Sequence, residues 1–357
     1  MTAAPRLEDK PTDSPGSPEP RLHDTLRRHF ERVSQQRSRR GMPAPVALIA
    51  HPGGTFTWGD QATPFHAASI GKIATAAIAM QLVDDGALTH DTTVQSVLGP
   101  QTGLLLGDAT LLHLLTHTSG AADYYDGRVE HGPRFQKLVT SEPDRVWTPN
   151  DLLDFSRAHQ RPVGRPGERF LYSDTGYTLA GLMLEHVGGA PLYELLRARV
   201  FEPLGMDASW LMRSTPGEHP AVAPFWIGRT ETSTFPSVSA GWAGGGIAAT
   251  AQDLLRLIRG LRSGLVSEAA LAEMSRIRNR VRPGLHYGAG LMEVHFEGFS
   301  PLLRGMPRLL GHSGSLGTHL YHDPVHDADV VLGFHGARTM VSSVRSLITV
   351  IRQLDRA

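Results

Sequence analysis

The chain has 357 residues, a formal net charge of zero at pH 7 and no cysteine. This length suits one large domain or two modest ones, and the balanced charge leaves no electrostatic footprint for nucleic acid. The absence of cysteine excludes disulfides, thiolate metal sites and a cysteine nucleophile.

The first twenty residues are rich in proline, serine and acidic residues. They are too polar to pack, and we expect residues 1–20 to form a disordered tail. They contain no apolar segment of a secretory signal, and no stretch of the chain approaches the roughly 18 apolar residues of a membrane helix. The sequence therefore predicts a cytoplasmic location and no membrane partner. A helix capped by Asp24 is expected to run through Leu26, Phe30 and Val33.

The next segment predicts a hairpin followed by a buried helix. Residues 45–51 (PVALIAH) have the pattern of a buried strand, and residues 55–58 (TFTW) that of its partner, with Pro52, Gly53 and Gly54 between them. Residues 70–83 are rich in alanine, isoleucine and methionine on almost every face, which is typical of a central, buried helix. Gly86 is expected to end it.

In the rest of the chain, the predicted secondary structure changes from helices to strands near residue 241. Residues 87–240 show mostly helical patterns cut by proline and glycine turns, whereas strand-like runs follow at 290–296, 309–311, 318–321 and 330–334, with a final helix near 338–354. Strands at both ends of the chain imply one sheet. The sequence predicts an α/β (α+β) fold, with an antiparallel sheet and flanking helices from residues 21–72 plus 241–357. Residues 73–240 form an inserted helical domain.

The first chemical signal is Ser69, three residues before Lys72 at the start of the apolar helix. Of the 35 lysines and arginines, only three are lysines, and arginine cannot lose its proton at working pH. Positions i and i+3 share a helix face, so the amine is expected beside the hydroxyl. A serine needs a base to become a good nucleophile, and desolvation in an apolar helix would make Lys72 a better one. The main-chain N–H of Ser69 is free to bind an oxyanion.

The second signal is residues 167–177 (GERFLYSDTGY), where a turn delivers Tyr172 just before a helix that starts near Asp174 or Thr175. A phenol has a pKa near 10 and is too weak a base at neutral pH. Beside a cationic Lys72 the phenolate would be favoured and could relay the serine proton. The alternative is a core tyrosine, with Asp174 as an ordinary helix cap.

The third signal is residues 311–315 (GHSGS), on a late strand. Small residues allow a substrate to lie against the strand edge, where backbone groups pair with it. The main-chain N–H of Ser315 can then serve as a second oxyanion donor, and losing one such donor costs roughly 10²–10³ in rate.

Together the three segments resemble the serine β-lactamase and penicillin-binding-protein superfamily, and most of all its branch of class C β-lactamases, D-Ala-D-Ala carboxypeptidases and esterases. The likeness continues in residues 114–120 (LLTHTSG), residues 201–206 (FEPLGM) and residues 243–250 (AGGGIAAT) with Asp253. It spans about residues 42–355. It implies a β-lactamase/transpeptidase-like fold and a reaction without a cofactor.

By position, the resemblance makes Ser69 the acylated nucleophile and makes Lys72 and Tyr172 the proton-handling pair. The main-chain N–H groups of Ser69 and Ser315 become the oxyanion hole. Which of Lys72 and Tyr172 takes the first proton stays open, because the two would titrate as a coupled pair. The resemblance assigns substrate binding to Asp174, His312, Ser313 and Gly314.

Two residues depart from the β-lactamase pattern. Asp174 stands where those enzymes usually carry asparagine, and a carboxylate accepts hydrogen bonds without donating any. His312 stands where they usually carry lysine, and a mostly neutral imidazole holds a substrate carboxylate less firmly than an ammonium does. Both departures resemble the esterase and D-aminopeptidase-like members more closely.

The sequence therefore predicts a serine hydrolase that acts on an ester, amide or lactam of a small-molecule acyl or peptide substrate. Alternatives are an acyltransferase on the same scaffold and a member that binds such ligands without turnover. No metal site is predicted: His113 and His117 lack the glutamate of a zinc-protease helix, and the cluster of residues 319–327 straddles a proline. The oligomeric state is not predicted.

Overall fold

The computed structural model describes residues 18–100 and 106–356, without the side chains of residues 18–20. The tail predicted for residues 1–20 lies outside the described residues as far as residue 17, and the first helix begins at Pro18. The strands are β1 Val46–His51, β2 Gly54–Trp58, β3 Phe65–His66, β4 Trp210–Leu211, β5 Trp226–Ile227, β6 Thr230–Glu231, β7 Ile247–Ala249, β8 Asn279–Arg282, β9 Leu285–Tyr287, β10 Met292–Val294, β11 Leu309–Gly314, β12 Thr318–Asp323 and β13 Ala328–Gly333.

The helices of the described residues surround these strands. A 3₁₀ turn, Ala68–Ile70, leads directly into α2, and a π-helical turn, Arg197–Phe201, follows α8. The α-helices are α1 Pro18–Ser38, α2 Gly71–Asp84, α3 Val94–Leu98, α4 Leu111–Leu115, α5 Phe135–Ser141, α6 Pro149–His159, α7 Asp174–Gly188, α8 Leu192–Leu196, α9 Glu202–Leu204, α10 Trp242–Gly245, α11 Ala251–Arg262, α12 Glu268–Ser275 and α13 Met340–Leu354.

The main sheet joins the two ends of the chain. Its eight strands lie in the order β2-β1-β13-β12-β11-β10-β9-β8, and neighbouring strands are antiparallel. The first and last of the long strands pair directly, with Val46 opposite Gly333 and Ala50 opposite Asp329. Every strand of this sheet comes from residues 46–58 or 279–333. The predicted fold class is confirmed.

Each face of the main sheet buries a separate apolar layer. On one face, α1 and α13 pack on β1 and β13, with Leu26, Phe30 and Ile351 at 0% exposure. On the other face, α2, α7 and α11 form the larger layer, to which Ile73 and Leu254 belong. Helix α2 is buried on nearly all sides, which agrees with its lack of a polar face. This burial holds the beginning of α2 in a fixed place against the sheet.

In the predicted inserted segment, residues 73–240, helices outnumber strands among the described residues, and α2 itself crosses the predicted boundary between residues 72 and 73. The described part of residues 73–240 also contains the two-residue strands β4, β5 and β6. Strand β4 pairs with β7, which in turn pairs with β3, so a small sheet ties the inserted segment to residues 65–66 just before Ser69. No helix in residues 18–100 or 106–356 is long and apolar enough to cross a membrane.

Of two local predictions about helix starts, the first is wrong and the second is right: α7 begins at Asp174, as expected, although Asp174 is not its cap. Asp24 lies inside α1 and does not cap it, because the helix already begins at Pro18. The N-cap of α7 is Ser173, whose hydroxyl accepts the N–H of Gly176, and Asp174 is the first helical residue. Asp174 is therefore free to use its carboxylate elsewhere.

Candidate active site

A cavity of about 230 Å³ opens where the start of α2, the start of α7 and the end of β11 meet. These are the three segments that the sequence singled out. They contribute Ser69, Tyr172, Asp174, Ser313, Gly314 and Ser315 to its lining, and the inserted segment adds Asp123, Asp126 and apolar residues such as Phe225.

The turn that carries Ser69 is held by close packing. Ala68 has φ +52, a left-handed conformation that a residue with a Cβ seldom adopts. Its N–H donates to Nδ1 of His66 over 2.9 Å, and burial lowers the pKa of His66 to about 4, so that this ring is a neutral acceptor. A Cβ on Gly314 would lie 2.7 Å from Cβ of Ala68 and 2.9 Å from the carbonyl oxygen of Ala67. Gly314 thus allows β11 to pack against this turn.

Lys72 lies one helical turn beyond Ser69, with 0% exposure. Its Nζ donates to Oγ of Ser69 over 3.4 Å, to the carbonyl oxygen of Gly244 and to the carboxylate of Asp174, with which it forms an ion pair. An ammonium has three N–H donors, and all three have acceptors here. The predicted contact between Lys72 and Ser69 is present.

Tyr172 lies beside Ser69 and Lys72, as expected, although the pKa of its phenol is shifted in the opposite direction to the one expected. Nζ of Lys72 lies 4.9 Å from the ring centroid. The Oη atom is buried and approaches the hydroxyl of Ser69, but the geometry falls short of a hydrogen bond. Burial, followed by the charge of Asp174, raises the pKa of the Tyr172 phenol well above its usual value near 10. The expectation that the phenolate is favoured was wrong, because burial, and next the Asp174 carboxylate beside the lysine, disfavours the charged form of the phenol.

Asp123, Asp126 and Asp174 form an acidic wall of the cavity. The sequence did not reveal this wall. Oδ1 of Asp123 accepts the N–H groups of Asp174 and Tyr125 over 3.0 and 3.2 Å. Burial, and next the charge of Asp174, raises the pKa of Asp123 to about 7, and burial also raises the pKa of Asp126. The position of Asp123, three residues after the LLTHTSG stretch, was the available signal. Its relevance depends on a loop that folds back onto α7.

The residues of β11 divide between the cavity and the sheet. His312 is not among the residues that line the cavity: its Nδ1 donates to the carbonyl oxygen of Ser313 over 2.7 Å, and its Nε2 lies 3.2 Å from Oη of Tyr287. Burial, then the charge of Lys72, lowers the pKa of His312 to about 3. Its ring is therefore neutral. Ser313 does line the cavity, and its Oγ lies 2.8 Å from both Nδ1 of His319 and Oη of Tyr321.

The other histidines noted in the sequence have partners in the protein. Nδ1 of His113 accepts the N–H of Thr110, His322 pairs with Asp329, and His326 pairs with Asp323. Within residues 18–100 and 106–356, no group of three or more histidines, aspartates and glutamates is arranged to hold a metal ion.

Comparisons with known proteins show a family and a shared fold. The family model Beta-lactamase matches residues 26–349. Two structures of the D-amino acid amidase from Ochrobactrum anthropi SV3 superpose with TM-scores of 0.76 and 0.72 at 23% and 26% identity, covering 93% and 94% of this chain and 100% and 98% of the amidase. The D-stereospecific amidohydrolase from Streptomyces sp. has a TM-score of 0.73 at 25% identity, covering 88% of this chain and 94% of that chain.

A curated relative in sequence is penicillin-binding protein 4 from Amycolatopsis lactamdurans, which is 33% identical over 154 residues, or 41% of this chain and 35% of that protein. The chain spans about half the length of other curated relatives, at 48% and 53% of their residues. The match to the family model thus covers most of the chain.

Proposed function

The chain belongs to the serine β-lactamase and penicillin-binding-protein superfamily, and we propose that it is a hydrolase that cleaves small amino-acid amides or esters through an acyl-enzyme on Ser69. One observation carries the proposal. The hydroxyl of Ser69 lies 3.4 Å from Nζ of Lys72, beside the phenol of Tyr172, at the wall of an open cavity. A nucleophile next to groups that exchange protons is the arrangement that acyl transfer requires.

In the proposed reaction, the Ser69 oxygen attacks the substrate carbonyl carbon, and its proton passes to the pair formed by Tyr172 and Lys72. The main-chain N–H groups of Ser69 and Ser315 stabilise the charge that develops on the carbonyl oxygen. When the bond to the leaving group breaks, the pair returns the proton to the departing amine or alcohol. Water then attacks the acyl-enzyme, loses a proton to the pair and releases the acid, and Ser69 regains its proton.

The protonation of this pair predicts a pH dependence. An ammonium and a phenol both donate, so the site must lose one proton before it can accept the proton of Ser69. Because burial and the Asp174 carboxylate raise the pKa of the Tyr172 phenol, the deprotonated form is scarce at neutral pH. We therefore expect kcat/KM to increase as the pH rises from neutral into the alkaline range.

Replacing Asp174 by asparagine tests this dependence. Asp174→Asn removes the negative charge that raises the pKa of Tyr172, so the rising limb of kcat/KM should move to lower pH by on the order of one pH unit. The pH–rate profile for a neutral p-nitrophenyl ester measures it. Asp154→Asn is the matched control, because Asp154 is exposed and pairs with Arg157 on the surface. A limb that stays in place or moves to higher pH would contradict the proposed role of the carboxylate.

The lining of the cavity supports a substrate that carries an amine. It includes the carboxyl groups of Asp123, Asp126 and Asp174, against the single guanidinium of Arg282, which is exposed. Apolar residues such as Phe225 leave space for an apolar side chain. By their names, one structural neighbour is a D-amino acid amidase and another is a D-stereospecific amidohydrolase, and we extend the substrate class of the amidase to the present chain.

Hydrolysis of a matched panel tests the substrate class. The panel contains D-phenylalanine amide, L-phenylalanine amide, N-acetyl-D-phenylalanine amide and a chromogenic cephalosporin. We expect the free D-amino-acid amide to give the highest kcat/KM, at least about tenfold above its N-acetyl form, because acetylation removes the positive charge that the acidic wall attracts. Equal rates for the free and acetylated amides would contradict the substrate class.

The cytoplasmic location stays a prediction, which cell fractionation would test.

A further inference from the structure

His117 is a buried residue beside Tyr172 that the proposed reaction does not use. It follows α4 with φ +58, and 1% of its surface is exposed. The centroids of the His117 and Tyr172 rings are 4.1 Å apart, with 32° between their planes. The imidazole therefore packs against one face of the phenol ring.

His117 also bonds to both chain neighbours of Tyr172. Its main-chain carbonyl oxygen accepts the N–H of Leu171 over 2.9 Å, and its Nδ1 accepts the N–H of Ser173 over 3.0 Å. One residue thus holds the backbone before Tyr172, the backbone after it and the face of its ring. These three contacts leave the phenol little freedom to turn.

The contacts require an imidazole in its neutral form. Because the N–H of Ser173 donates to Nδ1, the ring proton of His117 lies on Nε2, which is buried and has no partner among the described residues. Burial, then the charge of Lys72, keeps the pKa of His117 well below its usual value of 6.5. A phenylalanine could stack but not accept, whereas an asparagine could accept and adopt the left-handed backbone but not stack.

We infer that His117 is a positioning residue that aims the phenol of Tyr172 at Ser69. The inference rests on the proposed function, because it matters only if Tyr172 transfers a proton. Small displacements of a catalytic group have large effects: a misplacement of about 1 Å costs about 10²-fold in rate. Without the contacts from His117, the Tyr172 ring would be free to move by a distance of this order.

Two variants separate the contacts. His117→Phe keeps an aromatic face and loses the acceptor, and His117→Asn keeps an acceptor and loses the ring. With p-nitrophenyl acetate, we expect each to lower kcat for acylation by about 10- to 100-fold and to change KM by less than about threefold. His113→Asn is the matched control. Nδ1 of His113 also accepts a backbone N–H, that of Thr110 over 3.2 Å, and we expect its kcat to stay within about twofold of the wild type.

The decisive comparison repeats the His117 substitutions in a Tyr172→Phe background. A positioning residue has no proton-transfer group left to aim there, so the further loss should be less than about twofold. An equal loss in both backgrounds, or variants that acylate at the wild-type rate, would overturn the inference. If His117→Phe fails to fold, His117→Asn still makes the comparison, and thermal unfolding decides which variants are native. A wild-type protein that never acylates would instead overturn the proposed function.

Discussion

Ser69→Ala should lower kcat/KM for an activated ester by several orders of magnitude, approaching the roughly 10⁶-fold effect that loss of a hydrolase nucleophile has elsewhere. The reason is that no other hydroxyl occupies the same place. Ser69 lies next to Nζ of Lys72 at the start of α2, whereas the Oγ of Ser313, across the cavity, is engaged by His319 and Tyr321. Initial rates with p-nitrophenyl acetate measure the effect.

The matched control for this substitution is Ser263→Ala. The exposed hydroxyl of Ser263 donates to the carbonyl oxygen of Arg259 on α11, away from the cavity. We expect it to leave the rate unchanged. Thermal unfolding of both variants is compared with that of the wild type to confirm that each variant is folded. Ser69→Ala that retains more than about a tenth of the wild-type rate would remove Ser69 from its proposed role.

Lys72→Arg should also nearly abolish activity, by about 10²–10⁴-fold, which is the usual contribution of a positioned acid or base. The substitution preserves the positive charge beside Asp174 but removes the ability to lose a proton, because a guanidinium stays protonated. Burst kinetics with p-nitrophenyl acetate separate the acylation step from the deacylation step, and both steps should slow, because each needs a proton to be taken up and returned.

Lys137→Arg is the control for Lys72→Arg, since Lys137 is exposed on α5. Its kinetics should match those of the wild type. The larger guanidinium has to fit into a buried site, so unfolding by urea is measured together with the rates. A folded Lys72→Arg variant with rates near those of the wild type would show that Lys72 acts only through its charge, and Tyr172 would then carry the proton alone.

The sequence was enough to predict the framework because its strongest patterns are local. The hairpin of β1 and β2 follows from a glycine-rich turn between two apolar runs, and α2 follows from an apolar segment that ends at Gly86 with φ +74. Strands β8 and β9 were missed. Residues 279–282, NRVR, have alternating exposure at the edge of the sheet, and their polar composition resembles a loop.

The sequence predicted which residues form the site better than it predicted the charge interactions among them. Ser69 and Lys72 lie one helical turn apart, which the sequence fixes directly. The ion pair between Lys72 and Asp174 joins residues 102 positions apart. Burial, and next the charge of Asp174, raises the pKa of Tyr172, which is the reverse of the expected effect. His117 was rejected as a metal ligand and was otherwise noted only as part of the LLTHTSG stretch. Its role could not be predicted, because its contacts with residues 171–173 depend on how two loops fold together.

The acidic wall shows the same limit. Asp123 is an ordinary loop aspartate in the sequence, and its contact with the start of α7 depends on the backbone path after α4. Burial and a neighbouring carboxylate, neither of which a linear pattern reveals, give it a raised pKa. Motifs can therefore predict which residues form the site, whereas the protonation states of those residues depend on the neighbours that the fold brings together.

The most direct test is the mass of the intact protein after mixing with p-nitrophenyl acetate, followed by peptide mapping. We expect one acetyl group per chain, located on Ser69, which appears in step with the release of p-nitrophenol and disappears as the acyl-enzyme is hydrolysed. Ser69→Ala should show no such adduct. A stable adduct on another residue, or turnover of the ester with no acylated Ser69 at any time, would contradict it.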